Sequence, residues 1–328
     1  MQPIRRRDDL EELSRAWQAS RVLLTGVELD LFSRTVRPVT PAEAAADLGT
    51  APRHTARLMA ALAALGLLER RGERFVNTPV ADTHLVPGRP GYLGGLRHRA
   101  HMFLAWSRLT DVVRAGRPAR LLDDPPPLQD WTVDFIAAMQ QFGGRRAPAV
   151  CDLLPLEGVR RILDVGGGSG AFTAELARRC PEAEIVFFDR PEVIPLARHY
   201  LQEAGVAERV RFAAGDFLAD DLGREFDLAL LSHVLHSNGP AQMRDLLRRT
   251  AAALRPGGVA AIHEFLVDDS RCSPPGAALF ALNMLVHTEE GDTFTEAELR
   301  SWLAEAGFTE ITRHDTGLES DLVVARRA

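Results

Sequence analysis

The chain has 328 residues, 46% of them hydrophobic, and a net charge of −6; this suits two folded domains and argues against a general nucleic-acid binder. No apolar run approaches a membrane span, and "MQPIRRRDDLEEL" lacks the apolar segment of a secretory signal. Cys151, Cys180 and Cys272 form no close pair, which excludes a disulfide framework or cysteine zinc site and fits a reducing cytoplasm. The sequence has no lysine, so lysine Schiff-base chemistry and a Walker-type phosphate loop are excluded as well.

Residues 8–32 carry apolar side chains at helical spacing. In "TPAEAAADLG", Thr40 reads as an N-cap, Pro41 as the first helical position, Glu43 as the capping-box acid and Gly49 as the stop. A second helix is expected over 51–66, followed by two short strands around Gly72 in "LLERRGERFVNT". Helix, turn, helix and hairpin make a winged-helix pattern, which often binds DNA. Here residues 1–90 hold 13 Arg against 11 Asp plus Glu, and the second helix has only Arg53, His54 and Arg57 near its start. That balance favours a protein interface over a groove-reading helix.

Residues 91–150 predict further helices, "HRAHMFLAWSRLTDVVRAG" and "WTVDFIAAMQQFGGRRAPAVCDLL", separated by the Pro-rich "DDPPPLQD". From Arg160 the pattern becomes strand–helix alternation. Apolar runs at 161–165, 184–188, 209–213, 226–232 and 258–266 predict strands of a doubly wound α/β sheet, and "FTEITRHDTGLESDLVVARRA" predicts two closing strands.

"RILDVGGGSGAFTAELARR" is a strand, a glycine-rich turn and a helix. Such a turn lets backbone approach a ligand at a helix N-terminus. Gly166, Gly168 and Ala171 satisfy the dinucleotide pattern, with Asp189 at a suitable distance, so a nicotinamide dehydrogenase is one reading. Asp164, two residues before the first glycine, favours a different ligand: a carboxylate there suits a cationic amino group rather than a pyrophosphate. The later segments "FFDRPEVI", "AAGDFL" and "LRPGG" follow in an order that resembles the S-adenosylmethionine-dependent methyltransferases. That resemblance implies that Asp164 holds the amino end of the cofactor and Asp189 its ribose hydroxyls. Asp216 and Phe217 would hold and cover the adenine, with Gly166, Gly168, Gly170, Arg190 and Ser232 in the same site.

Nearly the whole chain resembles the caffeic acid and acetylserotonin O-methyltransferase family of plants and its bacterial natural-product relatives. "YLGG", "DVGGGSG", "FFDRPEVI", "GDF", "LRPGG", "FALNMLVHTEEGDTFTEAEL" and "AGF" carry the likeness. The implied fold is α/β: a Rossmann-like methyltransferase sheet behind an N-terminal, mostly α winged-helix dimerisation domain. The implied domains are 1–92 for dimerisation and 93–328 for catalysis, with 93–155 as connecting and substrate-lining helices. The resemblance implies a homodimer acting on a small aromatic hydroxyl compound; cysteine usage, charge and the lack of a long apolar run add the expectation of a cytoplasmic protein that binds neither nucleic acid nor membrane.

The family's catalytic base falls on His236 in "LLSHVLHSNGP", and its first supporting acid on Glu264 in "AIHEFLV". The family's usual Asp-Trp after the histidine is here Ser237–Asn238, and its second glutamate falls on Thr293, beside Asp292. These departures keep transfer to N, S or C, or a non-methylating use of the cofactor, open as an alternative, as the winged helix keeps a ligand-sensing transcription regulator. Phe103, Trp106, Met139, Phe142, Asn283, Met284 and His287 are the candidate acceptor-lining residues. No metal is expected: His233 and His236 are three apart around a strand end, so their side chains need not converge, and no compact ligand motif is present. His233 and His263 are expected to pack against the sheet.

Overall fold

The computed structural model describes residues 4–123 and 132–328; the Pro-rich stretch, apart from Asp123, lies outside them, as does Trp131. Two compact units meet in sequence between Leu104 and Ala105.

The first unit contains α1 (Arg7–Glu28), α2 (Leu31–Arg34), α3 (Pro41–Leu48), α4 (Pro52–Ala64), the hairpin β1 (Leu68–Arg71) and β2 (Arg74–Asn77), α5 (Pro79–Leu85) and most of α6 (Gly95–Trp106). The capping box at Thr40 forms as expected: Thr40 Oγ1 accepts from Glu43 N–H at 3.2 Å, and Glu43 accepts from Thr40 N–H at 2.7 Å. The helix expected over 8–32 breaks instead at Asp30, whose backbone is left-handed (φ 54°). Asp tolerates that conformation because its short side chain bonds locally, here accepting from Ser33 Oγ at 2.5 Å. Leu31, Phe32, Met59, Leu62 and Phe75 form this unit's core. Leu10, Leu13 and Trp17 do not join it; spaced i, i+3, i+7 along one face of α1, they are 49–58% exposed.

The second unit opens with α7 (Leu109–Ala115) and α8 (Thr132–Asp152). The single helix expected over 98–116 is thus two, parted at Ser107–Arg108. Then come β3 (Arg161–Val165), α9 (Ala171–Arg179), β4 (Glu184–Asp189), α10 (Ile194–Glu203), β5 (Val210–Ala214), β6 (Phe226–Ser232), α11 (Pro240–Ala253) and β7 (Leu254–Glu264). The chain continues through β8 (Leu266–Val267), α12 (Pro275–His287), β9 (Phe294–Thr295), α13 (Glu296–Glu305), β10 (Phe308–Asp315) and β11 (Asp321–Arg327). The strand expected over 258–266 starts four residues earlier and ends at Glu264, after which β8 pairs with β9 alone.

Seven strands form one sheet in the order β10-β11-β7-β6-β3-β4-β5. β3 to β7 are parallel, β11 runs antiparallel to β7, and β10 runs antiparallel to β11. Helices cover both faces, which explains the unbroken apolar strands. Leu163, Val165, Phe188, Leu231 and Ile262 pack against α11 and α13; Ile162, Ile185, Phe187, Leu228 and Leu230 pack against α8, α9 and α10. Each fully buried Leu or Ile contributes about 1.5–3 kcal/mol relative to an exposed one. Strand order reverses between β3 and β6, and ligands of doubly wound sheets bind beyond the carboxyl ends of the strands at such a point. Among the described residues no helix is long and apolar enough to cross a membrane.

Candidate active site

The glycine loop leaves β3 at Val165 and enters α9. Gly166 and Gly170 are left-handed (φ 65° and 82°). They are also sterically closed: a Cβ would begin 2.9 Å from Val234 Cγ2 at Gly166 and 2.9 Å from Leu201 at Gly170. Gly168 N–H donates to Asp189 Oδ2 at 2.8 Å, and Arg190 N–H donates to Asp189 Oδ1 at 2.7 Å. Asp189 at the end of β4 therefore shapes the loop after β3, a role its family position did not suggest. Burial raises its pKa, against the bonds from Gly168 and Arg190.

Asp164 lies under the same loop, 1% exposed, accepting from Thr173 Oγ1 at 2.5 Å. Burial pushes its carboxyl up to about 7, against the Thr173 bond. Phe217 lies within ordinary contact distance of the Cβ position of Gly166. Asp216 is exposed and accepts from Leu218 N–H at 2.9 Å. The Arg190 guanidinium is exposed and pairs with Glu192 at 3.3 Å. Ser232, the last residue of β6, places Oγ 2.9 Å from His263 Nδ1.

His236 sits on a short helical turn, Leu235–Ser237, immediately beyond β6. Its Nδ1 is 2.7 Å from Glu264 Oε1. A carboxylate only accepts, so Nδ1 carries the proton and Nε2, across the ring, is the basic nitrogen. Glu264, at the end of β7, is 1% exposed; Phe265 N–H donates to Oε1 at 3.0 Å, and His236 N–H reaches Oε2 at 3.4 Å. Burial opposes the charge on Glu264, yet His236 and the facing His233 hold its carboxyl well below the usual range.

His233 corrects an expectation. Its backbone is left-handed (φ 57°), which turns the ring toward the same carboxylate as His236, with Nδ1 3.4 Å from Glu264 Oε1. The two histidines converge after all: one ligand atom each of His233, His236 and Glu264 lie within 4.8 Å of one another. Oε1 in that set already accepts from His236. His263 is fully buried at the sheet, with Nε2 2.7 Å from Ser320 Oγ.

Thr293 is buried, and its N–H donates to Asp292 Oδ1 at 2.8 Å. The Asp292 carboxylate also pairs with Arg271 at 3.5 Å, while Asp292 N–H donates to the His236 carbonyl at 3.0 Å. Two aromatics missed from sequence flank the base. Phe280 meets His236 edge-on at 4.7 Å between centroids, and Phe265 packs on Phe280 at 4.3 Å. The signal was present, because Phe280 precedes Asn283, Met284 and His287 by three, four and seven residues on one face of α12.

Among the acceptor candidates, Trp106 Nε1 donates to Asn283 Oδ1 at 2.8 Å. His287 Nδ1 lies 2.9 Å from the Asn283 carbonyl, and burial lowers its pKa, against the bond to that carbonyl. Met284 is buried; Met139 and Phe142 lie half-buried on α8, the latter under the Arg146 guanidinium at 5.3 Å. Phe103 belongs to the first unit, beneath Arg21 at 5.3 Å.

Residues 128–309 match the O-methyltransferase domain, and residues 11–87 the O-methyltransferase dimerisation domain. A tetracenomycin polyketide synthesis 8-O-methyl transferase of Streptomyces glaucescens is 34% identical over 331 residues, covering 97% of this chain and 96% of that protein. A 3-hydroxy-5-methyl-1-naphthoate 3-O-methyltransferase of Streptomyces sahachiroi is 37% identical over 309 residues, covering 92% and 89%. Human N-acetylserotonin methyltransferase, solved in complex with SAM, superposes with a TM-score of 0.84 at 28% identity, covering 100% of both chains. The chain belongs to the S-adenosylmethionine-dependent O-methyltransferases that carry an N-terminal dimerisation domain.

Proposed function

We propose that this enzyme methylates a hydroxyl group on a small aromatic acceptor, with His236 as general base and Glu264 as its supporting acid. The observation that carries the reading is the 2.7 Å contact between His236 Nδ1 and Glu264 Oε1, buried at the end of β6 beside the glycine loop.

The residues present fit S-adenosylmethionine. Asp164 and Asp189 are buried acids whose carboxyls burial raises, and such groups gain from donors brought by a ligand. Asp189 would hold the ribose hydroxyls and Asp164 the amino end. Gly166, Gly168, Gly170, Arg190 and Ser232 would line the cradle, with Asp216 and Phe217 at the adenine. When bound, the cofactor supplies an activated methyl group. The protein's work is to align the acceptor and remove its proton. His236 Nε2 takes the hydroxyl proton, and Glu264 fixes the tautomer and stabilises the resulting imidazolium. Phe280 and Phe265 offer flat apolar faces next to the base. With Trp106, Met139, Phe142, Asn283, Met284 and His287 they form the acceptor set we propose. The two Streptomyces relatives are named for a polyketide and a naphthoate, which favours a polycyclic phenol.

We further propose a homodimer held by residues 1–92, with 93–328 as the catalytic domain. The exposed Leu10, Leu13 and Trp17 stripe is its expected seam, since contiguous apolar patches usually mark interfaces. Balanced charge over residues 1–90 supports an interface rather than a nucleic-acid site. The three free cysteines suit the cytoplasm.

The test is calorimetric titration with S-adenosylhomocysteine, followed by methyl transfer from labelled cofactor to a panel of hydroxynaphthoates. Binding with transfer to a ring hydroxyl supports the reading. Transfer to nitrogen, sulfur or carbon alone overturns it.

A further inference from the structure

Glu264 Oε1 serves two histidines, and only one is accounted for by the base. His233 Nδ1 also approaches this oxygen, at 3.4 Å. That atom is buried and has no formed hydrogen bond among the described residues. A left-handed backbone at a non-glycine residue persists only where its surroundings over-determine it. Here His233 N–H donates to the His263 carbonyl at 2.8 Å, and the ring packs on His263 and Phe265 at 4.5 and 4.6 Å.

The remaining contacts form a line away from the base. His233 Nε2 lies 3.5 Å from Ser320 Oγ, Ser320 Oγ lies 2.7 Å from His263 Nε2, and His263 Nδ1 lies 2.9 Å from Ser232 Oγ. An ionised carboxylate at one end dictates every proton. A bare Nδ1 facing Glu264 would repel it, so His233 carries its proton there. Burial disfavours the charged form of both His233 and His263, and a neutral ring has one donor and one acceptor. His233 Nε2 then accepts the Ser320 hydroxyl proton, Ser320 Oγ accepts from His263 Nε2–H, and His263 Nδ1 accepts the proton of Ser232. One arrangement of four protons satisfies the line, and it runs from the proposed cofactor edge at Ser232 to the acid behind the base.

We infer that His233 is a positioning residue for methyl transfer: held by the Ser320–His263–Ser232 line with its Nδ1 proton toward Glu264, it keeps that carboxylate ionised and in place behind His236. The inference rests on His236 being the base. As His236 becomes imidazolium, Glu264 must stay anionic and unmoved. A second donor already within 3.4 Å closes on Oε1 without any rearrangement of the backbone.

The test uses the full-length protein with S-adenosylhomocysteine bound and histidine labelled with 15N. At mildly alkaline pH the expected spectrum shows His233 protonated on Nδ1 and His263 on Nε2; the opposite tautomer at His233 overturns the inference. Two variants separate the side chain from the backbone. His233→Gly and His233→Asn both accept a left-handed backbone, but only Asn restores an N–H donor near the Nδ1 position. With a hydroxynaphthoate as probe acceptor, single-turnover transfer should fall about tenfold in His233→Gly, the scale of one lost hydrogen bond. It should recover most of that loss in His233→Asn, with S-adenosylhomocysteine affinity kept in both. Equal rates in the two variants overturn the inference. Ser320→Ala, which breaks the line from its far side, should lower the rate in the same direction, and should a Gly variant not fold it supplies the comparison. Failure of the base reading appears separately, as a His236→Ala enzyme at the parental rate.

Discussion

Gly291 lies against the backbone of His236: a side chain on it would begin 2.5 Å from the His236 carbonyl oxygen. Neither atom can yield cheaply, because the neighbouring Asp292 N–H bonds that same carbonyl at 3.0 Å. The loop after α12 therefore sets the height of the base. Gly291→Ala should displace His236 and lower single-turnover transfer by about ten- to a hundredfold, since misplacement near 1 Å costs that much. S-adenosylhomocysteine affinity, read by calorimetry, should stay within about threefold. A parental rate in this variant would mean the turn moves freely.

His236→Ala should retain cofactor binding, because the glycine loop does not include it. Transfer to a hydroxyl should fall by about a hundredfold or more, the usual scale for a lost base. Glu264→Gln should cost less, since it removes a charge and leaves the imidazole in place. Single-turnover rates with labelled cofactor check the order, and a His236→Ala rate within threefold of the parent would leave positioning as the main source of catalysis.

Asp164 gives a pH-dependent expectation. Its carboxyl rises from an ordinary 3.8 to about 7 in the fold. A raised acid binds its proton more tightly when folded, so its contribution to stability is complete below pH 3.8 and is lost as pH climbs through about 7. Asp164→Asn removes that loss. Without ligand, the Asn variant should gain on the parent in thermal unfolding as pH rises from about 4 to about 8, by up to a few kcal/mol. The same variant should bind S-adenosylhomocysteine more weakly. Parallel melting curves across that range would place the titration elsewhere.

Asp189→Ala loses two bonds that hold the loop, from Gly168 and Arg190, as well as any bond to a ribose. Cofactor affinity should drop by about 1.5–3 kcal/mol per charged hydrogen bond removed. Calorimetry with S-adenosylhomocysteine checks it, and unchanged affinity would rule out the ribose assignment.

Replacing Leu10, Leu13 and Trp17 together by Ser should convert the protein to a monomer in light scattering at micromolar concentration. Helix formation itself should survive, because these side chains are exposed in the isolated chain. A persistent dimer would move the interface off α1.

Local signals carried most of the fold. Thr40–Pro41–Glu43, the turn at Gly72 and five apolar strand runs each reflect neighbours in sequence, and each formed its element, with β7 starting four residues before its apolar run. Breaks set by single backbone angles were not legible: Asp30 interrupts an apolar period that continues across it. The same holds in the site. His236 and Glu264 were named through motif position, and the fold sets them 2.7 Å apart. The approach of His233 to Glu264 was not legible, because it depends on a left-handed φ that spacing does not encode. Ser320 was missed because antiparallel pairing of β11 with β7 delivers it to His263 from 57 residues away.

Val234 fills the space over Gly166 and stands two residues before His236. Val234 thus brings the glycine loop beyond β3 against the turn beyond β6 that carries His236. Cofactor and acceptor should therefore not bind independently. Whatever factor the cofactor's presence adds to acceptor affinity, the acceptor must return to the cofactor, by thermodynamic reciprocity. A cell holding abundant demethylated cofactor would then be holding the acceptor site in its binding form as well. Product inhibition in this enzyme should be felt at both substrates, through one valine.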